Sequence, residues 1–478
     1  MSADVAPEAL PEVRQRIKET PKERAAHGKE ARKRAPRSAH CDWKPAADRP
    51  DPVALLEEQA LERAPDLVPI RYGRMASSPF AFYRGGAAIM ASDLAATRRS
   101  GLPVQACGDA HLVNFGVFAA PDRSLVFDIN DFDETLPGPW EWDIKRLAAS
   151  FEVAMRDRGF DKSTRRDTIL MGLASYREAM AMFAGQGNLE VWYARLNVEE
   201  LLEQGRQSMS AKDAKFVAKN IGKSEFKNSI SALDKLTVTV DGMPRIVSQP
   251  PLIVPASELL RGDELDRFID TIHAFIRSYA MSLPDDRRHL LEGYEFKQIA
   301  RKVVGVGSVG MRAWIVLTLG RDTSDPLFLQ LKQAEESVLE RFVGRSKYRN
   351  HGRRVVEGQR LMQASSDIML GWYKVLAFDG KWHDFYVRQL WDGKASLDVT
   401  KMSAAVFPRY ARVCYWTLAR AHARTGDRIA ISAYLGNSDV FDNAIADFAY
   451  IYAEQNERDY EALLAAIKSG RVEARTGI

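Results

Sequence analysis

Between Cys107 and Asp143 the chain reads CGDAHLVNFGVFAAPDRSLVFDINDFDETLPGPWEWD. Asp109, His111 and Asn114 fall in one short polar loop, and an apolar run then ends in Asp128, Asp131 and Asp133. Carboxylates and an amide, delivered from a loop and from the end of a strand, are what a magnesium-bound phosphate requires, because Mg²⁺ takes oxygen ligands and keeps several waters. Asn114, Asp128 and Asp131 are the oxygen donors from which such a site would draw its metal ligands.

A second group of candidates lies far downstream. KQIARKVVGVGSVGMRAWIVLTLGRDTSDPLFLQLKQA carries Gly305, Gly307, Ser308 and Gly310, then Lys332 inside the strand-like LFLQLK. Three readings compete for these glycines. In a dinucleotide-binding fold they would open a helix, but Met311–Leu319 has the β-branched and aromatic character of a strand. In protein kinases such glycines turn a hairpin over ATP phosphates, and a lysine follows on the third strand. The third reading is a hairpin with no ligand. A kinase-like site also needs a loop Asp near the acceptor hydroxyl, an Asn five residues later and a metal-binding Asp on the next hairpin. Asp109, Asn114 and Asp131 supply those types in that order.

The elements that must position these residues follow from periodicity. PVQACGD and SLVFDIND read as short strands on either side of the polar loop, and DIKRLAASFEVAM as a helix burying Ile144, Leu147, Ala148 and Phe151. Residues 1–50, rich in Ala, Pro, Glu, Lys and Arg, are expected to be a disordered basic tail. Residues 51–185 form a helical part that carries the polar loops, and Arg84, ahead of Gly85 and Gly86, has two readings there, a structural arginine, which is favoured for a lone residue, or one that reaches a phosphate. Residues 186–294 are expected to be a mainly helical insert, 295–395 a β-rich lobe, and 396–478 helices completing the helical part. Within the β-rich lobe, GWYKVLAF and DFYVRQL read as two strands joined at Asp379–Gly380.

Composition sets the outer limits. The chain has 478 residues, 46% apolar and 28% charged, so it can bury a sizeable core. A net charge of +4 is too small at this length to argue for nucleic-acid binding. Cys41, Cys107 and Cys414 are far apart and form no CxxC pair, which argues against a zinc site or a disulfide framework. The acidic start, MSADVAPEALPE, lacks the apolar core of a secretory signal. No run approaches the ~20 apolar residues of a membrane span. A soluble, cytoplasmic protein is the expectation.

The loop Gly108-Asp109-Ala110-His111-Leu112-Val113-Asn114, then Asp131-Phe132-Asp133, then Asp143-Ile144 resembles the aminoglycoside phosphotransferase and choline kinase branch of the protein-kinase-like superfamily. More closely, SPFAFYRGGAAIMASDLA, CGDAHLVNFG, NDFDETLPGPWEWDIKRLAAS and RVVEGQRLMQASSDIMLGW with FYVRQL resemble the bacterial domain of unknown function 2252 family. The resemblance implies an α+β, protein-kinase-like two-lobe fold with extra helices, circularly permuted because the glycine hairpin and lysine follow the polar loop. It further implies ATP and Mg²⁺ as cofactors and a hydroxyl-bearing acceptor. Asp109 would act as the base with His111 steadying the loop, Asn114 and Asp131 would hold metal, and the glycine loop and Lys332 would hold phosphates. Glu357 is the favoured partner of Lys332, with Glu336 or Glu340 as alternatives, and Phe385–Leu390 would meet the adenine edge. One departure is Cys107, where the resembling kinases usually carry His. A regulatory nucleotide binder and an AMP transferase are the competing functions on the same fold.

Overall fold

Strands β1 (Pro103–Ala106) and β4 (Leu136–Pro139) pair antiparallel and hold the polar segment by both ends, with Val104 opposite Gly138. Between them, β2 (Phe115–Ala119) and β3 (Leu125–Ile129) form a hairpin, extended at its edge by the two-residue β5 (Leu196–Asn197). The chain is described from a computed structural model, which covers residues 18–225, 229–303, 305–376 and 380–477. The expected joint at Asp379 lies outside the described residues, as does the start of the basic tail.

The helical part surrounds these strands. It comprises α1 (Pro21–Arg34), α2 (Pro52–Ala60), α3 (Val68–Met75), α4 (Pro79–Gly85), α5 (Ala87–Ala95), α6 (Trp140–Asp157) and α7 (Lys162–Ala184). After the insert, whose β6 (Thr237–Val240) and β7 (Met243–Ile246) make a separate hairpin, the chain builds the larger sheet. Its strands are β8 (Ile253–Pro255), β9 (Glu295–Lys302), β10 (Ala313–Leu319), β11 (Pro326–Ala334), β12 (Gly371–Leu376) and β13 (Trp382–Gln389), in the order β12-β13-β11-β10-β9-β8. The insert is therefore not only helical, since β8 extends the sheet beside β9.

Alternation along the central strands fixes what each sheet face meets. Val316, Leu329 and Leu331 pack with Phe268, Ile272 and Phe275 of α8 (Asp263–Ala280), while Ile315, Leu317 and Phe328 face Ala232 and Leu236. Lys332 stands directly across from Tyr386, and Gln330 from Arg388. These polar residues occupy one face at the end of the sheet nearest the helical part. Helix α9 (His351–Met362) covers this region, and α10 (Phe407–Thr425), α11 (Arg428–Leu435) and α12 (Val440–Lys468) close the helical core.

Much of the expected disordered tail is ordered. Helix α1 begins with a capping box, Thr20 and Glu23 satisfying each other's backbone amides. It docks on α11 through Arg24 on Asp427 and through Arg32 on the Ala433 and Tyr434 carbonyls. A side chain at Gly28 would stand 2.0 Å from the Ala430 carbonyl oxygen, so the two backbones touch there. A helix held by polar contacts and one close approach has almost no apolar stripe, which is why composition reads it as disordered.

Behind α1, His40 is buried with its Nε2 2.7 Å from the Tyr434 hydroxyl. Burial, reinforced by the nearby Lys145 ammonium, pushes its pKa down to about 3 from an ordinary 6.5. The unfolded chain therefore takes up this proton more readily than the folded one. The stabilisation is complete above pH 6.5 and is lost as pH falls toward 3, at about 1.4 kcal/mol per pH unit. In thermal or urea unfolding, His40→Gln should flatten this acid slope relative to wild type. An unchanged slope would show that His40 already carries its proton in the native state.

Candidate active site

Pairing of β1 with β4 sets the polar loop against the first turn of α6. There the Asp143 carboxylate accepts from the backbone amides of Cys107 at 2.6 Å and Gly108 at 2.9 Å. Gly108 has φ +80°, and a Cβ on it would lie 2.4 Å from the Glu134 carbonyl oxygen, so the turn requires glycine. The third contact of Asp143 is an imidazole, His422 Nε2 at 3.1 Å, whose Nδ1 is 2.8 Å from the Tyr176 hydroxyl. Position 107 carries no histidine to brace Asp143, and α10 supplies one from 279 residues beyond Asp143. The Cys107 thiol donates to the Asp131 carbonyl at 3.5 Å, and burial pushes its pKa up, so it is a packed thiol and not a nucleophile.

Within the loop, Asn114 Nδ2 donates to the Asp109 carbonyl at 2.7 Å, leaving Oδ1 without a donor among the described residues. The Asp109 carboxylate is oriented by Arg146 of α6 at 2.9 Å. Arg146 in turn donates to the Tyr83 carbonyl and lies over the Tyr83 ring. The His111 ring is buried, with Nδ1 unpartnered and Nε2 3.9 Å from Asp109. Burial pushes its pKa to about 3, so it is neutral near pH 7.

The β2–β3 register places Phe115 opposite Ile129, and the Asn130 amide donates to the Asn114 carbonyl at 2.8 Å. Asn114 and Asp131 therefore stand side by side although sixteen residues separate them. Asp131 and Asp133 then face the end of the sheet. Lys332 forms an ion pair with Asp133 and lies 3.8 Å from Asp131, and the Tyr386 hydroxyl donates to Asp133 at 2.8 Å. Burial disfavours the Lys332 charge, but Asp131 and Asp133 outweigh it and hold the ammonium protonated far above its usual range. Of the acids, burial and the neighbouring Asp133 charge push Asp131 up. Burial also opposes ionisation of Asp133, but Lys332 prevails and holds it down.

Two expected residues sit elsewhere. Asp128 forms a buried ion pair with Arg420 and accepts from the Ala364 and Ile129 amides, so its oxygens are committed to joining β3 to α10. It is not a metal ligand. Glu357 lies 4.0 Å from Arg353 and 3.8 Å from Arg360 on its own helix, and Glu340 faces Ser337, Ser346 and Arg354. The lysine's partner is Asp133, one residue beyond Phe132 in the polar run. Helix α9 contributes Arg354 instead, which donates to the carbonyls of Asp133, Thr135 and Glu335 and pins the acidic turn. Within Phe385–Leu390, Phe385–Val387 are paired on both sides, by β11 and β12, so their backbone is occupied, while Arg388 and Gln389 pair with β11 alone and the Gln389 amide donates to Asp367 at 2.6 Å.

The glycine loop joins β9 to β10, as a hairpin turn should, and lies over the polar loop, where Ser308 Oγ donates to Asp133 at 3.3 Å. It is tethered from the helical side. Arg63 donates to the Gly307 carbonyl at 2.8 Å and to that of Val309, Arg74 donates to Gly305, and the Ala64 amide donates to Gly310 at 2.8 Å. Sequence reasoning missed these arginines because bonds to backbone carbonyls leave no motif.

Between the loops lies a cleft of about 90 Å³, walled by Asp109, His111, Asn114, Asp131 and Asp133 on one side and by Gly305–Ser308 on the other. It is well below the ~300–1,000 Å³ of a small-molecule pocket, so a phosphoryl-sized group fits while a whole nucleotide requires the two sides to separate. Among the described residues no three His, Cys, Asp or Glu side chains converge as a metal cage. One amide oxygen and one carboxylate suit an Mg²⁺ that completes its shell with water and phosphate. A larger cavity of about 520 Å³, walled by side chains such as Leu201, Val217, Val413 and Trp416, touches β2 and β3 but shares no residue with the polar cleft.

Among the described residues no helix is long and apolar enough to cross a membrane. A family described as "uncharacterized protein conserved in bacteria (DUF2252)" matches residues 63–466. No curated protein and no solved structure matches the chain.

Proposed function

The chain belongs to the DUF2252 family, and because that description names no reaction, we propose from the cleft itself an Mg²⁺-assisted, ATP-dependent phosphotransferase acting on a hydroxyl. The observation that carries this reading is a juxtaposition. Asp109, Asn114 and Asp131 from one segment face the glycine loop from another across one phosphoryl-sized cleft, and Lys332, from the same second segment, stands behind its wall on Asp131 and Asp133. In this reading the two segments form a protein-kinase-like pair of lobes joined in exchanged order; connections can differ while the packing is kept.

The roles follow from position. Asp109, aimed by Arg146, accepts the proton of the acceptor hydroxyl as the new bond forms. Asn114 Oδ1 and Asp131 would hold Mg²⁺, which when bound neutralises charge on the phosphates. Lys332 adds a fixed positive charge, and the loose transition state leaves most of the catalysis to such preorganised groups. His111, neutral and buried, shapes the floor of the loop.

The direct test is thermal stabilisation by ATP with and without Mg²⁺. Wild type should gain about 2.7 kcal/mol at a hundredfold excess over Kd, and the Mg²⁺-dependent part should vanish in Asp131→Asn. Absence of stabilisation by any nucleotide would sink the reading. Label from the γ-phosphate should reach the acceptor; transfer of α-label would instead mean AMP transfer.

A further inference from the structure

One group of charges has no place in the mechanism above. Arg84 ends α4, and its side chain lines the cleft opposite Asp109 and Asp131. Its Nε is buried without a partner, and no carboxylate pairs with it. Arg71 and Arg63 stand behind it, 1% and 8% exposed, each again with an unpartnered Nε. Their remaining hydrogen bonds go to uncharged acceptors: Leu56 O, Gly85 O and Gln59 Oε1 for Arg71, Gly307 O and Val309 O for Arg63.

Three guanidinium groups gathered in one wall are costly, because buried charge gives up its hydration. Glu335 and Glu134 offset part of this at Arg63, Glu335 at Arg71, and Asp109 and Asp131 at Arg84, but among the described residues none of these carboxylates forms an ion pair with the three. Asp109 is engaged by Arg146 and Asp133 by Lys332. Gly307 packs against the backbone beside Arg84, where a Cβ would lie 3.3 Å from the Arg84 carbonyl oxygen, so the arginines and the glycine loop form one continuous wall. Guanidinium forks match the oxygens of a phosphate in a way that a point-charge ammonium does not, and the cleft volume of about 90 Å³ suits that group.

We propose that Arg84, backed by Arg71 and Arg63, is a phosphate-binding subsite facing Asp109 and Asp131. The assignment deepens the phosphotransfer reading and takes its catalytic meaning from it. The phosphate has two possible sources, the terminal phosphoryl group of the nucleotide or a phosphoryl group on the acceptor.

The test uses the full chain, with inorganic phosphate as probe against chloride at matched ionic strength. Phosphate should raise the unfolding temperature of wild type. Its apparent affinity should fall roughly tenfold in Arg84→Gln, the loss of one charge-assisted hydrogen bond, and less in Arg84→Lys, which keeps the charge and guards against a folding defect. If the nucleotide is the source, Arg84→Gln weakens ATP but not ADP, and phosphate competes with ATP. If the acceptor is the source, ATP and ADP bind Arg84→Gln normally and phosphate stabilises additively with ATP. The subsite is overturned if phosphate does no more than chloride, or protects both variants as well as wild type. Phosphate binding that depends on Arg84 without any ATP binding would keep the subsite and end the phosphotransfer reading. ATP·Mg²⁺ binding with no phosphate effect would do the reverse.

Discussion

Asp109→Asn should reduce turnover by about 10²–10⁴-fold while Mg²⁺-dependent stabilisation by ATP stays at the wild-type level. The amide has the shape of the carboxylate and still offers Arg146 an acceptor, so the loop held by Asp143 and Asn114 keeps its form. What it loses is the ability to take a proton from the attacking hydroxyl. Slow hydrolysis of γ-labelled ATP, with water standing in for the acceptor, gives the rate, and thermal shift gives the binding. Undiminished hydrolysis would remove Asp109 from the chemistry. Parallel loss of binding and rate would make it a nucleotide-positioning group.

Lys332→Ala carries the largest expected cost in stability. Lys332 is 2% exposed, and its removal leaves Asp131 and Asp133 facing each other without their shared cation. Breaking a buried pair from one side typically costs about 3–5 kcal/mol. Arg388, which feels both carboxylates, keeps the loss toward the lower end. Urea unfolding should show a lowered midpoint, partly restored by adding Asp133→Asn, because the second change removes the charge that the first left unpaired. A loss below about 1 kcal/mol, typical of an exposed pair, would mean that the ion pair does not hold in solution.

The residues legible in the sequence were those whose partners lie within a few positions or whose role imposes a type. Asp109, Asn114 and Asp131 sit at fixed spacing around one hairpin, and Lys332 occupies a strand after a glycine turn. The β-branched and aromatic content of β10 and the apolar run of β11 also disclosed the sheet. Other contacts left no local trace. Asp133 and not Glu357 holds Lys332, because the acidic turn enters the sheet end before α9 can present a carboxylate there. Asp128 carries the same side chain as Asp131 in the same run, but faces Arg420 across the core. His422, Arg354, Arg63 and Arg74 act on carboxylates or carbonyls far away in sequence, and a single chain offers no pattern for such meetings. Helix α1 escaped notice because arginines and one glycine hold it, where an apolar face was sought.

The reach of His422 back to Asp143 has a consequence for biosynthesis. A ribosome that has just added Asp143 must add 279 further residues to reach the imidazole that braces it, and Lys332 comes 199 residues after Asp133. At ~5–20 residues per second, the first interval is on the order of 15–55 s. Throughout it the nascent loop lacks that brace, and until Lys332 is added its acids also lack their cation. The cleft is therefore assembled only after α10 has been made. A chain that stops just short of α10 emerges with the acids and Lys332 but without the imidazole that braces Asp143.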